Sequence, residues 1–91
     1  MVKDTFLLSP DVTFLNHGSF GACPKPVFEK YQFWQKELER QPVQFMVEEV
    51  YKHLETARKR LGEFVGCNSD DLIFIPNPTT GFTTMTNCLS L

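Results

Sequence analysis

The sequence predicts an α/β fold: an irregular arm, two amphipathic helices, and one buried strand leading into a further helix. Three observations carry this expectation. Val27, Tyr31, Trp34 and Leu38, and then Val50, Leu54, Ala57, Leu61 and Phe64, recur at the spacing of one helix face. Leu72-Ile73-Phe74-Ile75 is a short continuous apolar run, the pattern of a strand covered on both faces. Pro76-Asn77-Pro78 closes that run, and beyond Thr79-Thr80-Gly81 the apolar residues Phe82, Met85 and Leu89 return to helical spacing.

Composition narrows the function classes. A chain of 91 residues with a net charge of −2 makes at most one small domain. Its lysines and arginines are interleaved with glutamates, so no basic stripe is left to hold a nucleic acid. At 42% hydrophobic and 13% aromatic the chain is too apolar for disorder. No continuous apolar run is long enough for a secretory signal or a membrane span. Cys23, Cys67 and Cys88 are odd in number and lack metal-ligand spacing, as expected of free thiols in a reducing cytoplasm. No charged residue follows Asp71. An uncharged tail containing Leu72, Ile73, Phe74, Ile75, Phe82 and Met85 is expected to be buried in something larger, which makes the chain an N-terminal piece.

Taken in order, residues 1–25 form the arm and a polar loop, residues 26–66 the two helices, and residues 67–91 the strand–turn–helix unit. In the arm, Phe6, Leu7 and Leu8 form an apolar plug and Ser9-Pro10-Asp11 a turn. Val12 to Leu15 is short and β-prone, and the two glycines of Asn16-His17-Gly18-Ser19-Phe20-Gly21 interrupt it. The first helix is expected over 26–41 and ends before Pro42, whose ring disfavours helical backbone in the residue ahead of it. The second is expected over 45–65, with Gly66 as its cap. Glu48–Lys52 and Glu55–Lys59 are i,i+4 pairs worth about 0.2–0.5 kcal/mol each. The last helix is expected to run to Leu91.

Two segments carry candidate chemistry. The turn at Pro78, Thr79 and Thr80 lies between a strand and a helix start, where unpaired N–H groups and the helix dipole favour a phosphate. The simpler reading is that Thr79 or Thr80 caps the helix. In the second segment, Asn16, His17, Gly18 and Ser19 combine polar side chains with a glycine that allows close approach of a ligand, or they make only a tight turn. His53 reads as a partly solvated surface histidine. Cys67 and Cys88 read as small apolar residues, Trp34 as core, and the helix glutamates as a solvated face. No ligand set for a metal accompanies His17 and Cys23.

Three blocks of the sequence together resemble a known family. Phe14-Leu15-Asn16-His17-Gly18-Ser19-Phe20-Gly21-Ala22-Cys23-Pro24 is similar to the N-terminal signature of class V aminotransferases of the isopenicillin N epimerase-like branch. That branch also holds cysteine desulfhydrases and related carbon–sulfur lyases. Glu39-Arg40-Gln41-Pro42-Val43 resembles its next block and Asp71 to Gly81 its third. The resemblance implies a fold-type-I enzyme dependent on pyridoxal 5'-phosphate, a homodimer of several hundred residues per subunit, acting on an amino acid. It implies that Thr79, with Pro78 and Thr80, binds the cofactor phosphate, and that Asn16, His17, Gly18 and Ser19 lie on the substrate side. Pro78 stands where the family usually has alanine and offers no N–H, and Thr83 stands where asparagine is common.

In that family the lysine holding the cofactor as a Schiff base and the carboxylate facing its pyridine nitrogen lie well beyond residue 91. The lysines present sit in the arm or in charged helix regions. No catalytic residue is therefore expected in this chain, and alone it should have no turnover. A non-catalytic truncated product or a helical interaction module is the alternative; it would need a closed small core and a polar end.

Overall fold

The computed structural model describes residues 2–89. It contains five α-helical segments among these residues: α1 (His17–Phe20), α2 (Lys25–Arg40), α3 (Pro42–Gln44), α4 (Val50–Val65) and α5 (Pro78–Cys88). A π turn, Phe45–Glu49, follows α3, and short 3-10 turns cover Val2–Thr5 and Ser69–Asp71. The chain divides into two units, Met1–Glu49 and Val50–Leu91.

In the first unit the arm opens with the 3-10 turn and is tied at Phe6 to Pro24 by an isolated antiparallel bridge. The Ser9-Pro10-Asp11 turn is closed by the Val12 N–H donating to the Ser9 carbonyl at 3.3 Å. Residues 12–15 form no strand, and Asn16 to Gly21 is not a plain glycine break. Asn16 caps a single helical turn, its side chain accepting the Ser19 N–H at 3.3 Å. This local bond gives the backbone an alternative to extended pairing, a property of Asn that favours helix starts.

Helix α2 runs one residue earlier at each end than expected, with Pro26 in its first turn and Gln41 as an extended C-cap (φ −150°). Pro42 then begins α3, so the chain does break there. The face of α2 is only partly covered: Trp34 and Leu38 are half-buried, while Val27 and Tyr31 are exposed. Trp34 packs on Phe45 with ring centroids 6.2 Å apart, and Phe45 is the one buried hydrophobic side chain among the described residues. Lys30 Nζ lies over the rings of Phe33 and Trp34, at 4.6 and 5.0 Å, a cation–π contact on the outside of the same cluster.

The π turn is the main departure in this stretch. Gln44 Nε2 donates to Glu49 Oε1 at 3.0 Å, an i,i+5 bond that matches the π repeat. The same turn takes Glu48 out of the α-helical register on which its i,i+4 pairing with Lys52 was expected.

In the second unit, α4 carries the expected Glu55–Lys59 pair at 2.6 Å, together with Arg60–Glu63 at 3.2 Å. It stops at Gly66, whose φ of 78° is the left-handed cap conformation that glycine adopts without strain. The N–H groups of Gly66 and Cys67 both donate to the Gly62 carbonyl, at 2.9 and 3.0 Å. Gly62 is buried because the turn crosses it: a Cβ there would lie 2.9 Å from the Cys67 carbonyl oxygen. Asn68 caps the next 3-10 turn by accepting the Asp70 N–H at 3.0 Å, and Arg58 reaches Asp70 at 3.7 Å.

The expected buried strand is absent. Among the described residues no strand is formed, and 72–75 belongs to no element. Leu72 has extended backbone (φ −106°, ψ 137°), yet Ile73 is 84% exposed and Phe74 and Ile75 about half exposed. A strand needs a neighbour to take its N–H and C=O groups, and these residues have none within the described chain. The final helix ends at Cys88, with Leu89 as its cap, rather than continuing; Ser90 and Leu91 lie outside the described residues. Cys67 and Cys88, with Cys23, are exposed free thiols rather than small packed residues. No helix among the described residues is long and apolar enough to cross a membrane.

Candidate functional site

The start of α5 is built from its sequence in four steps. Asn77 has extended backbone (φ −164°) and is the N-cap, and Pro78 takes the first helical position, where a missing N–H costs nothing. Asn77 Oδ1 accepts the Thr80 N–H at 2.8 Å, and the Asn77 carbonyl accepts the Gly81 N–H at 3.2 Å. The fixed φ of proline and the cap together set the direction in which the helix leaves the turn. Gly81 is half-buried because Ile75 lies against it: a Cβ there would come within 2.5 Å of the Ile75 δ-methyl group. Two of the three threonines further along are occupied internally, Thr84 Oγ1 donating to the Thr80 carbonyl and Thr86 Oγ1 to that of Thr83.

Pro78 has no N–H, and the Thr80 N–H is already committed to Asn77. The cap is thus Asn77, not Thr79 or Thr80, which corrects the simpler expectation for this turn. Among the described residues the Thr79 N–H and the hydroxyls of Thr79 and Thr80 make no hydrogen bond, and all three side chains from 78 to 80 are exposed. One backbone donor and two hydroxyls therefore stand at the positive end of an 11-residue helix. Asn77 is the residue that sequence reasoning passed over. Its signal was present: an Asn directly before a Pro, with helical spacing after it, marks an N-cap and first helical position.

The second candidate segment lies in the first unit. Asn16 is the cap already noted, His17 opens α1, and Ser19 gives its N–H to Asn16. Gly18 has open space around its α-carbon, so nothing in this unit requires a glycine there. The His17 ring is held between two phenylalanines. It stands edge-to-face with Phe14 at 4.7 Å between centroids and tilted against Phe6 at 5.5 Å. Phe6, Leu8, Val12, Phe14 and His17 border a cavity of about 260 Å³.

Elsewhere, Glu37, Arg40, Gln44 and Glu49 border a smaller polar cavity of about 170 Å³, in which Arg40 already binds Glu37 at 3.0 Å and Gln44 binds Glu49. Tyr51, Leu54, Arg58 and residues 72–74 border another of about 420 Å³, where Arg58 Nε is buried without a partner among the described residues. Glu55 is held below the ordinary carboxylate range by the Lys59 hydrogen bond and charge. It belongs to the exposed face of α4 and not to either candidate segment.

No family model matches the chain, and no solved structure matches it significantly. Curated relatives do. The isopenicillin N epimerase of Amycolatopsis lactamdurans is 36% identical over 77 residues, 85% of this chain and 19% of that protein. The isopenicillin N epimerase of Streptomyces clavuligerus is 32% identical over 89 residues, 98% of this chain and 22% of that protein. A probable chloroplastic L-cysteine desulfhydrase of Arabidopsis thaliana is 31% identical over 72 residues, 78% of this chain and 15% of that protein. The chain thus spans between 15% and 22% of the length of these relatives. Over that span it is similar to part of two epimerases and of a desulfhydrase.

Proposed function

We propose that this chain is the N-terminal portion of a pyridoxal-phosphate-dependent enzyme that acts on an amino acid, as an epimerase or a carbon–sulfur lyase. The observation that carries the reading is the 32% identity over 89 residues, a span wide enough to take in both candidate segments. In this reading the complete polypeptide adopts the α/β fold of class V aminotransferases, works as a cytoplasmic homodimer, and supplies the sheet partners that residues 72–75 lack.

The donors at α5 fit a phosphate. The Thr79 N–H and hydroxyl bind it, the Thr80 hydroxyl assists, and the dipole of α5 lowers the cost of its two negative charges. Pro78 contributes no donor to the phosphate, and the Asn77 Oδ1 is used in capping the helix; together they fix where Thr79 stands. Bound there, the cofactor would serve as the electron sink for a carbanion on the amino acid. Asn16, His17, Gly18 and Ser19 face the amino acid, with His17 able to donate or accept a hydrogen bond. The lysine and the acid–base groups that separate epimerisation from elimination come from other parts of the polypeptide. That Phe45 is the one buried hydrophobic side chain among the described residues favours this reading over a self-standing helical interaction module, which would close a core of its own.

The test is cofactor retention by the complete polypeptide, read from the visible absorbance of bound pyridoxal phosphate on dialysis. Thr79→Ala should weaken retention about tenfold to a hundredfold, the equivalent of about 1.5–3 kcal/mol for a hydrogen bond to a charged group, and Thr79→Ser should restore most of it. Undiminished retention by Thr79→Ala would reduce Thr79 to a helix residue. L-cysteine is the first amino acid to offer the loaded protein, because a relative of this chain is a desulfhydrase of that amino acid.

A further inference from the structure

We propose that Phe6 and Phe14 are positioning residues for His17, so that the arm preceding the Asn16–Ser19 segment is part of the amino-acid side of the site. The inference rests on the reading of Asn16–Ser19 as that side. It starts from a mismatch: His17 is exposed, yet two half-buried rings contact its imidazole, at 4.7 Å edge-to-face and 5.5 Å tilted. An exposed histidine on a single helical turn would ordinarily sample several rotamers. Contacts with two rings in different orientations select among them, since each aromatic pair favours a particular mutual geometry.

The rings are themselves anchored. Phe6 takes part in the bridge to Pro24, immediately before α2, and Phe14 lies two residues ahead of the Asn16 cap. The backbone of His17 is fixed from the other side by that cap, through the Asn16–Ser19 hydrogen bond. Main chain and side chain of His17 are thus fixed by different residues, Asn16 for the first and the phenylalanines for the second. Nothing in the packing of α1 requires such a clamp, because α1 buries no residue. A clamp on a solvent-facing imidazole serves a group that must meet a ligand in one orientation.

The experiment has two arms. In the first, the ring-proton shifts and side-chain couplings of His17, selectively labelled, are followed by NMR in the complete polypeptide. Phe14→Leu should move the His17 ring protons toward free-histidine positions and average its couplings, with the Ser19 amide unchanged; Phe14→Tyr should restore both. In the second, the complete polypeptide loaded with pyridoxal phosphate is titrated with L-cysteine. Phe14→Leu should raise the half-saturating concentration about twofold to tenfold, with cofactor retention unchanged. His17 signals that ignore Phe14→Leu would overturn the proposal, as would altered signals with unaltered half-saturation. A polypeptide that never takes up the cofactor, or does not respond to L-cysteine, refutes the proposed function or its substrate class instead; the ring signals then decide whether the clamp exists.

Discussion

Asn77 and Thr80 close the first turn of α5, the Asn77 Oδ1 accepting the Thr80 N–H at 2.8 Å. The bond removes one of the helix-start donors that a phosphate could use and leaves the Thr79 N–H as the free one. It also makes Asn77 the residue on which the geometry of the turn depends.

Substitutions at Asn77 separate these two roles. Asn77→Ala should cost about 0.5–2 kcal/mol of local helix stability, seen as faster amide exchange at Thr80 and Gly81. Asn77→Asp should keep the cap and strengthen the helix start, since a carboxylate there complements the dipole. The same carboxylate repels a phosphate, so cofactor retention should fall in Asn77→Asp even though α5 is intact. Equal retention by the asparagine and aspartate forms would mean that the phosphate does not bind at this turn.

An element is legible in the sequence to the extent that local rather than distant contacts hold it. The stop before Pro42, the cap at Gly66 and the Glu55–Lys59 pair follow from groups a few residues apart, and all are present. The α1 turn and the α5 cap are also local, but glycines and threonines stand out in those segments while asparagine is the acceptor in both. The strand over 72–75 is different. Its apolar pattern is legible as that of a strand covered on both faces, yet among the described residues it has no strand to pair with and the element is not formed. The π turn at Phe45–Glu49 left no trace in the apolar spacing, because one extra residue per turn shifts the face without changing its composition. For the site, Thr79 was reached through resemblance and helix-start chemistry, whereas the Phe6–His17–Phe14 cluster joins residues eleven and three positions apart and only geometry displays it.

Glycine substitutions distinguish close approach from backbone conformation. Gly62→Ala adds a methyl group 2.9 Å from the Cys67 carbonyl oxygen, a backbone atom that has to move. Alanine is ordinarily about 1 kcal/mol better than glycine inside a helix, yet here it should destabilise the 66–71 turn. Gly66→Ala meets no neighbour but must hold φ at 78°, at a cost of about 1–2 kcal/mol. Exchange at the Gly66 and Cys67 amides, which donate to the Gly62 carbonyl, should quicken in both variants. Protection unchanged by Gly62→Ala would show that the turn does not cross the helix at this point.

The Glu55 titration gives a pH dependence with a definite sign. Its folded-state pKa is lowered, first by the Lys59 hydrogen bond, then by the Lys59 charge, with a smaller contribution from Arg58. A depressed carboxylate stabilises the folded form above its unfolded pKa, and that contribution is lost as pH falls through the folded value. Both groups are exposed, at 61% for Lys59 and 52% for Glu55, so solvent screens the pair and the effect on α4 is small. NMR titration of the Glu55 carboxyl should place its midpoint below the ordinary range of a glutamate. Lys59→Gln should raise it, and added salt should narrow the difference. A midpoint that ignores Lys59→Gln would show that the pair does not form in solution.

Within the run at 72–75, residues 73–75 are exposed. Ile73 is 84% exposed, Phe74 50% and Ile75 45%, and no charge follows Asp71 to discourage contact between copies. A β-prone, uncharged segment with unpaired backbone is a template for strand addition. Isolated in solution, the 91-residue chain should therefore associate in a concentration-dependent way, measurable by sedimentation velocity. Ile73→Lys places a charge in the middle of the run without touching a helix, and it should shift the distribution toward monomer. Phe64 is equally exposed, at 87%, but it lies on α4, whose backbone groups are satisfied within the helix. Phe64→Lys should accordingly have the smaller effect. If the two substitutions act alike, association is driven by apolar side chains in general; if wild type is monomeric with a sharp cooperative melt, residues 72–75 find partners within the chain and the larger sheet proposed for them is unnecessary.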